Sequence, residues 1–400
     1  MHETLSMLLP LAVILVGAKA AAQLSTRFGL PAVFGELVLG LVLGPSLLGF
    51  IHPNDMFQIM ADIGVILLMF MAGLETDVAA MKSVGKASLL TAIGGVVLPL
   101  IGGYAVGVAF GLEWHHALFL GVVLTATSVS ISAQTLRELG RLRSKEGSII
   151  LGAAVIDDVL GVLVFALVLG VSGEGNVFLT VGKMILFFPI AWIIGDKVVP
   201  ILVRWERKMH QREASLALLL GMVLLYAWAA EALGSVATIT GAYLLGIIVA
   251  RHAKEGHIIH DGTAAVGYAF FIPVFFINIG LQAQVAGLIA LPVLAGVLVA
   301  LAIGSKVIGC GIGAIVGGMS KIQSFVIGCG MVSRGEVALV LAGAGLAAGL
   351  LDANLFSVLI VVTLATTLVT PPLLRLAYGA YPQRDAIEVR PVRVVEVGGD

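Results

Sequence analysis

The chain has 400 residues, 59% of them hydrophobic and 12% charged, with a mean hydropathy of +1.09. That composition fits no soluble core, so lipid is the solvent for most of the molecule. With 23 basic against 24 acidic residues the formal net charge is −1, which leaves no basic field for a nucleic-acid partner.

The first residues, Met1 to Thr4, carry no Lys or Arg ahead of the apolar run, so the N-terminus reads as a first span rather than a cleaved signal peptide. Apolar stretches of about 18 residues or more then recur along the chain. Thirteen spans are predicted, near 5–24, 31–50, 57–75, 87–111, 116–137, 148–172, 177–203, 213–232, 235–253, 264–282, 285–317, 321–348 and 354–379. The run 285–317 counts once, because Gly304-Ser305-Lys306 is too short for a loop that recrosses the bilayer. Loop charge tests the count independently. Eighteen of the 23 basic residues fall in odd-numbered connections or the C-terminus, and the other five (Lys19, Lys183, Lys197, Lys306 and Arg334) fall within spans. The positive-inside rule then predicts an N-terminus outside and a C-terminus in the cytoplasm.

The fifty glycines would weaken soluble helices but let membrane helices approach closely and break where protein lines the break. Cys310 and Cys329 lie in apolar segments without metal-ligand spacing and read as inert fillers. Span 5 contains the polar stretch Leu124 to Gln134, and span 12 contains Gly328 to Ala338. They are seven spans apart, an odd number, so they run in opposite directions. Spans 4 to 6 and 11 to 13 are therefore candidate inverted halves with interrupted helices. The last twenty residues, from Tyr381, are polar with a Val-rich end and too short for a domain.

Five intramembrane ionisable residues stand out: Asp157, Asp158, Lys306, Arg334 and Glu336. A charge at mid-bilayer costs roughly 2.5 to 3.5 kcal/mol on the mildest scale, which makes ion or proton handling the default hypothesis. Helical neighbours point about 100° apart, so Asp157 and Asp158 share a depth but face different partners. Two such carboxylates resist simultaneous ionisation, which links proton release to cation binding. A hard monovalent cation wants oxygen ligands, and carboxylates with nearby hydroxyls and unwound carbonyls supply them. The bland alternative makes both aspartates static ion-pair members, and Lys306 a fixed counter-ion rather than a partner released by the cation. Thr125, Thr127, Ser128, Ser130 and Ser132 either bond back to their own helix or line a break, and five hydroxyls in eight positions favour the break. Arg334 and Glu336 flank Gly335 and suit the ends of broken half-helices as structural support. Glu36 and Glu231 read as packing contacts, His115, His116, His252, His257 and His260 as loop residues, and Asn278 as an interhelical hydrogen bond.

At these residues the chain resembles the bacterial cation/proton antiporters of the second monovalent cation:proton antiporter family. These include double-aspartate sodium/proton antiporters and the antiporters of spore germination. The matching elements are Gly35-Glu36 with Gly44-Pro45, Gly73-Leu74-Glu75-Thr76, Ala126-Thr127-Ser128-Val129, Gly152 to Val159 with its Asp157-Asp158, Lys306 with Gly309, and Ser333-Arg334-Gly335-Glu336. The resemblance implies an all-α polytopic fold and a homodimer working by an elevator movement. Its mobile core repeats would be 87–172 and 284–380, its scaffold and dimerisation helices 1–86 and 173–283, and its cytoplasmic tail 381–400. It further implies Asp158 as the main cation and proton carrier, Asp157 paired with Lys306, and Thr127 at the site, so that sodium sits at Asp158, Asp157 and Thr127. Potassium-efflux members show Gln-Asp in place of Asp-Asp and append a nucleotide-binding domain, so sodium is favoured, with potassium the alternative. The implied partners are monovalent cations, protons and the lipid bilayer of a bacterial cytoplasmic membrane. Neither enzyme chemistry nor a resident cofactor is expected. Lesser alternatives are a sodium-coupled organic-anion symporter, a channel, and an intramembrane aspartyl protease, which would need its two carboxylates on different helices.

Overall fold

The computed structural model describes residues 2–28, 30–76, 84–171, 177–206, 212–252, 257–282, 291–347 and 349–379. Among them the regular structure is all helical. The helices are α1 (His2–Arg27), α2 (Ala32–Leu43), α3 (Asp55–Glu75), α4 (Gly85–Ala109), α5 (Trp114–Thr125), α6 (Val129–Glu138), α7 (Lys145–Val171) and α8 (Val177–Glu206). They continue as α9 (Arg212–Ala232), α10 (Thr238–His252), α11 (His257–Val266), a π turn (Gly267–Phe271), α12 (Ile272–Leu281), α13 (Pro292–Val316), α14 (Lys321–Gly330), α15 (Glu336–Ala347) and α16 (Ala353–Gly379). Every apolar segment of the sequence carries helix. Nine stretches, counting α5 and α6 as one, are long and apolar enough to cross a membrane among the described residues.

Two local features add detail to the predicted spans. Within the run read as 285–317 the described helix starts at Pro292, which suits the first turn because it needs no N–H there; residues 283–290 lie outside the described residues. Span 10 contains the π turn, and the Tyr268 carbonyl within it accepts from Lys19 Nζ at 2.8 Å.

Lipid removes the hydrophobic drive between helices, so close packing has to hold them together. Three crossings use reciprocal glycines. At α4 and α13, a methyl on Gly94 would sit 2.1 Å from the Gly309 carbonyl oxygen, and one on Gly309 would sit 2.3 Å from that of Gly94. One turn further on, a methyl on Gly313 would meet the Leu90 oxygen at 2.1 Å. At α3 and α10, a methyl on Gly73 would sit 2.3 Å from the Tyr243 oxygen and one on Gly246 would sit 2.2 Å from that of Phe70. At α2 and α12, methyls on Gly40 and Gly280 would meet the oxygens of Ile277 and Leu37 at 2.1 and 2.4 Å. Around the first crossing, α5 and α7 pack on α4, while α14 and α16 pack on α13. The other two crossings tie α3 to α10 and α2 to α12, with α1 on α2 and α9 on α10. Cys310 and Cys329 are both fully buried and free.

Candidate functional site

Helix α7 carries Asp157 and Asp158 at its middle, in a run without proline that keeps both at one depth. They face different neighbours. Lys306 of α13, with no exposed surface, donates from Nζ to Asp157 Oδ2 at 3.1 Å and to Thr127 Oγ1 at 2.5 Å. Gly95 of α4 leaves room for this lysine, since a methyl there would lie 3.4 Å from Nζ and 2.6 Å from Cys310 Sγ. Asp157 Oδ1 is buried with no hydrogen-bond partner among the described residues, and an orphaned carboxylate oxygen suits a cation ligand. Asp158 is buried and accepts from Thr240 Oγ1 of α10 at 2.8 Å.

Thr127 lies in a break. Residues 126–128 separate α5 from α6, and residues 331–335 separate α14 from α15. The two breaks are sewn to each other: Ser128 N–H donates to the Ser333 carbonyl at 2.8 Å, and Ser333 Oγ donates back to the Ser128 carbonyl at 2.5 Å. Ser132 Oγ donates to the Gly330 carbonyl at 2.5 Å and lies 3.1 Å from Ser333 Oγ, while Ser128 and Ser130 share a 2.9 Å hydroxyl contact. Irregular backbone at membrane depth survives only when its polar groups are met in this way. Thr125 is different, bonding back to the Val122 carbonyl of its own helix.

Arg334 is among the largest buried side chains and caps the end of α5. Its Nε and Nη2 donate to the Leu124 carbonyl at 3.2 and 2.8 Å, and its Nη1 donates to Ala302 and Val332 at 3.1 and 3.2 Å. Thr367 Oγ1 donates to the Arg334 carbonyl. The cation thus meets the partial negative end of a helix whose last carbonyls lack helical partners. Replacing Arg334 by Leu is expected to cost at least about 3 kcal/mol, because several buried acceptors lose their donors together. Thermal unfolding in detergent reads this, and an unchanged midpoint would remove Arg334 from the support of the break. The Glu336 side chain lies outside the described residues.

A second polar network, not singled out in the sequence, joins α6 to α1, α2, α3 and the π turn. Glu138 accepts from the Ala32 and Val33 amides at 2.5 and 3.3 Å, supplying the cap that Pro31 has no side chain to make. Arg137 pairs with Glu75 at 3.1 Å and donates to Tyr268 Oη at 2.5 Å, and Tyr268 in turn donates to Gln134 at 3.0 Å. The spacing of Gln134, Arg137 and Glu138 on one helical face was the available signal. Elsewhere Asn278 donates to Gln58 at 3.0 Å, Glu36 is buried, and Glu231 is exposed. His116 Nδ1 bonds the Leu350 carbonyl at 2.8 Å, and His252 pairs with Asp196 at 2.8 Å.

The sodium/hydrogen exchanger transmembrane family matches residues 11–376. The Na(+)/H(+)-K(+) antiporter GerN of Bacillus cereus is 41% identical over 372 residues, covering 92% of this chain and 96% of the relative. An Na(+)/H(+) antiporter of Enterococcus hirae is 36% identical over 370 residues, covering 91% and 96%. The fold is also that of the sodium proton antiporter MjNhaP1 from Methanocaldococcus jannaschii, with a TM-score of 0.69 at 17% identity over 94% of this chain and 99% of that one. With a multi-pass helical fold and matches over nearly its whole length, the chain belongs to the sodium/hydrogen exchanger family, whose members are transporters and not enzymes.

Proposed function

We propose that this protein is a secondary active antiporter that exchanges a monovalent cation, sodium first, for protons. The observation that carries the reading is the buried Lys306–Asp157–Thr127 contact beside Asp158. It is an ion pair for which a cation can compete, set next to a second carboxylate that can take or give a proton. An entering cation would take oxygens of Asp158, Asp157 and Thr127 and displace the ammonium. A buried ammonium without its carboxylate is an uncompensated charge, and shedding its proton removes that cost. With the proton that the cation displaces from Asp158 and the one shed by Lys306, two protons leave per cation, which makes the exchange electrogenic. Potassium is the second reading, favoured by the name of the Bacillus cereus relative.

The proposal extends to thirteen crossings with the N-terminus outside, supported by the alternation of loop charge. Residues 87–172 and 284–380 would form the mobile core, supported by the packing of α5, α7, α14 and α16 around the α4–α13 crossing. Residues 1–86 and 173–283 would form the scaffold of a homodimer, with 381–400 as a cytoplasmic tail. The core would move as an elevator in a bacterial cytoplasmic membrane.

The test is pH-gradient dequenching in proteoliposomes with sodium, potassium and lithium in turn, with and without a clamped membrane potential. Sodium is expected to drive proton flux that depends strongly on the potential in wild type and weakly in Lys306→Gln. If none of the three cations moves protons, antiport is wrong. If wild type ignores the potential, Lys306 is a fixed counter-ion.

A further inference from the structure

Five threonines in this chain show how a membrane helix ordinarily disposes of a hydroxyl. Thr76, Thr135, Thr366 and Thr370 each donate to the carbonyl four residues back, and Thr125 to the one three back. Thr240 does not. It sits in the first turn of α10, where its own N–H already takes the Ala237 carbonyl, and its hydroxyl reaches another helix to donate to Asp158 Oδ2 at 2.8 Å. Both side chains are buried.

Helix α10 packs most heavily on α3 and α9, and α7 on α4, although both also touch α8. Gly73 and Gly246 lock it against α3, and Tyr243 Oη lies 3.0 Å from Thr76 Oγ1 of that helix. A methyl on Gly241 would meet the Tyr226 carbonyl of α9 at 2.3 Å. Thr240 therefore belongs with α3 and α9, whereas Asp158 belongs with α4 and α13. The bond between them spans the boundary across which an elevator must slide. A hydrogen bond starting at 2.8 Å is lost beyond about 3.5 Å, so a slide of one helical turn, about 5.4 Å, across the bond breaks it.

We propose that Thr240 is a latch that senses whether Asp158 is loaded. Resting on the antiport reading above, it deepens that reading. A hydroxyl bonds an ionised carboxylate about twice as strongly as a neutral acceptor. The empty, anionic Asp158 is therefore held to α10, and the two groups of helices stay in register. A proton or a cation on Asp158 takes the charge that made the bond strong, and the loaded core is released. Crossing with an empty carboxylate is thereby suppressed, and suppression of that crossing is what forces exchange in place of leak. Thr240 is a positioning residue here, and no bond is made or broken in the transported ions.

The latch predicts a loss of coupling. Full-length protein is reconstituted in sodium- and potassium-free vesicles with thiocyanate as the permeant counter-ion, and an outward pH gradient is imposed. Wild type is expected to hold the gradient. Thr240→Val, which keeps the shape and removes the donor, is expected to dissipate it about tenfold faster, the factor a lost charge-assisted bond represents. Thr240→Ser restores the donor and is expected to hold the gradient as wild type does. In Asp158→Asn/Thr240→Val the leak is expected to vanish, since it runs through Asp158. If Thr240→Val stays tight while wild type exchanges sodium for protons, the latch is wrong and antiport stands. A raised sodium KM without leak would make Thr240 a cation ligand and overturn the latch equally. A lowered melting temperature with unchanged coupling would make it structural only, with the same consequence. If wild type shows no sodium-driven proton flux, the antiport reading fails first, irrespective of Thr240.

Discussion

Replacing Asp158 by Asn is expected to abolish cation/proton exchange while leaving the protein folded. The amide keeps the volume and can still accept from Thr240 through its oxygen, so the contact with α10 survives in weaker form. It can neither release a proton nor offer a full negative charge to a cation that has shed its water. The exchange rate should fall by at least about 100-fold, corresponding to some 2.7 kcal/mol. The size-exclusion profile and melting temperature should match wild type. Sodium-driven dequenching at the wild-type rate would remove Asp158 from the mechanism. Asp157→Asn should weaken transport without abolishing it, because the pairing with Lys306 at 3.1 Å is lost and the second carboxylate remains. An inactive Asp157→Asn beside an active Asp158→Asn would show that the order of the pair is reversed.

Gly309→Leu is expected to prevent the protein from folding into its native packing. The collision is with the Cβ itself, 2.3 Å from the Gly94 carbonyl oxygen, so no rotamer relieves it and the helices must part. Lys306 lies one turn earlier on α13, and parting α4 from α13 would withdraw it from Asp157 and Thr127. The loss should exceed about 4 kcal/mol, at the severe end for a single substitution. Gly304→Ala is the matched control on the same helix, because nothing lies within 4 Å of a methyl there. It should be neutral or stabilising by up to about 1 kcal/mol through helix propensity. Thermal unfolding and size exclusion in detergent separate the two. A monodisperse Gly309→Leu with a wild-type midpoint would mean the crossing tolerates separation.

Asp157, Asp158, Lys306 and Arg334 were legible in the sequence because a charge inside an apolar run is costly and so rare. The break at 126–128 was legible from the density of hydroxyls around it. Thr240 was not, since a threonine at the head of an apolar helix looks the same whether it bonds its own backbone or a carboxylate on another helix. The three glycine crossings were equally hidden. With fifty glycines in the chain, composition says that close approach is available somewhere but not which pairs meet. The network of Glu75, Gln134, Arg137, Glu138 and Tyr268 escaped because its members sit at span ends, where charge is ordinary and explained by the loops. Local polarity reveals groups that are expensive where they stand. It is silent on groups that become special only through a partner far along the chain.

The burial of Cys310 and Cys329 has a practical corollary for measuring motion. They are the only two thiols of the chain, and water-soluble maleimides reach neither in the folded protein. The natural protein is therefore its own unlabelled background. Trp114→Cys, at the exposed head of α5, and Leu47→Cys, in the exposed turn after α2, would add one label to each of the two helix groups. The distance between the two labels then becomes a spectroscopic ruler for their relative travel, obtained without removing any residue that holds the lysine pocket together.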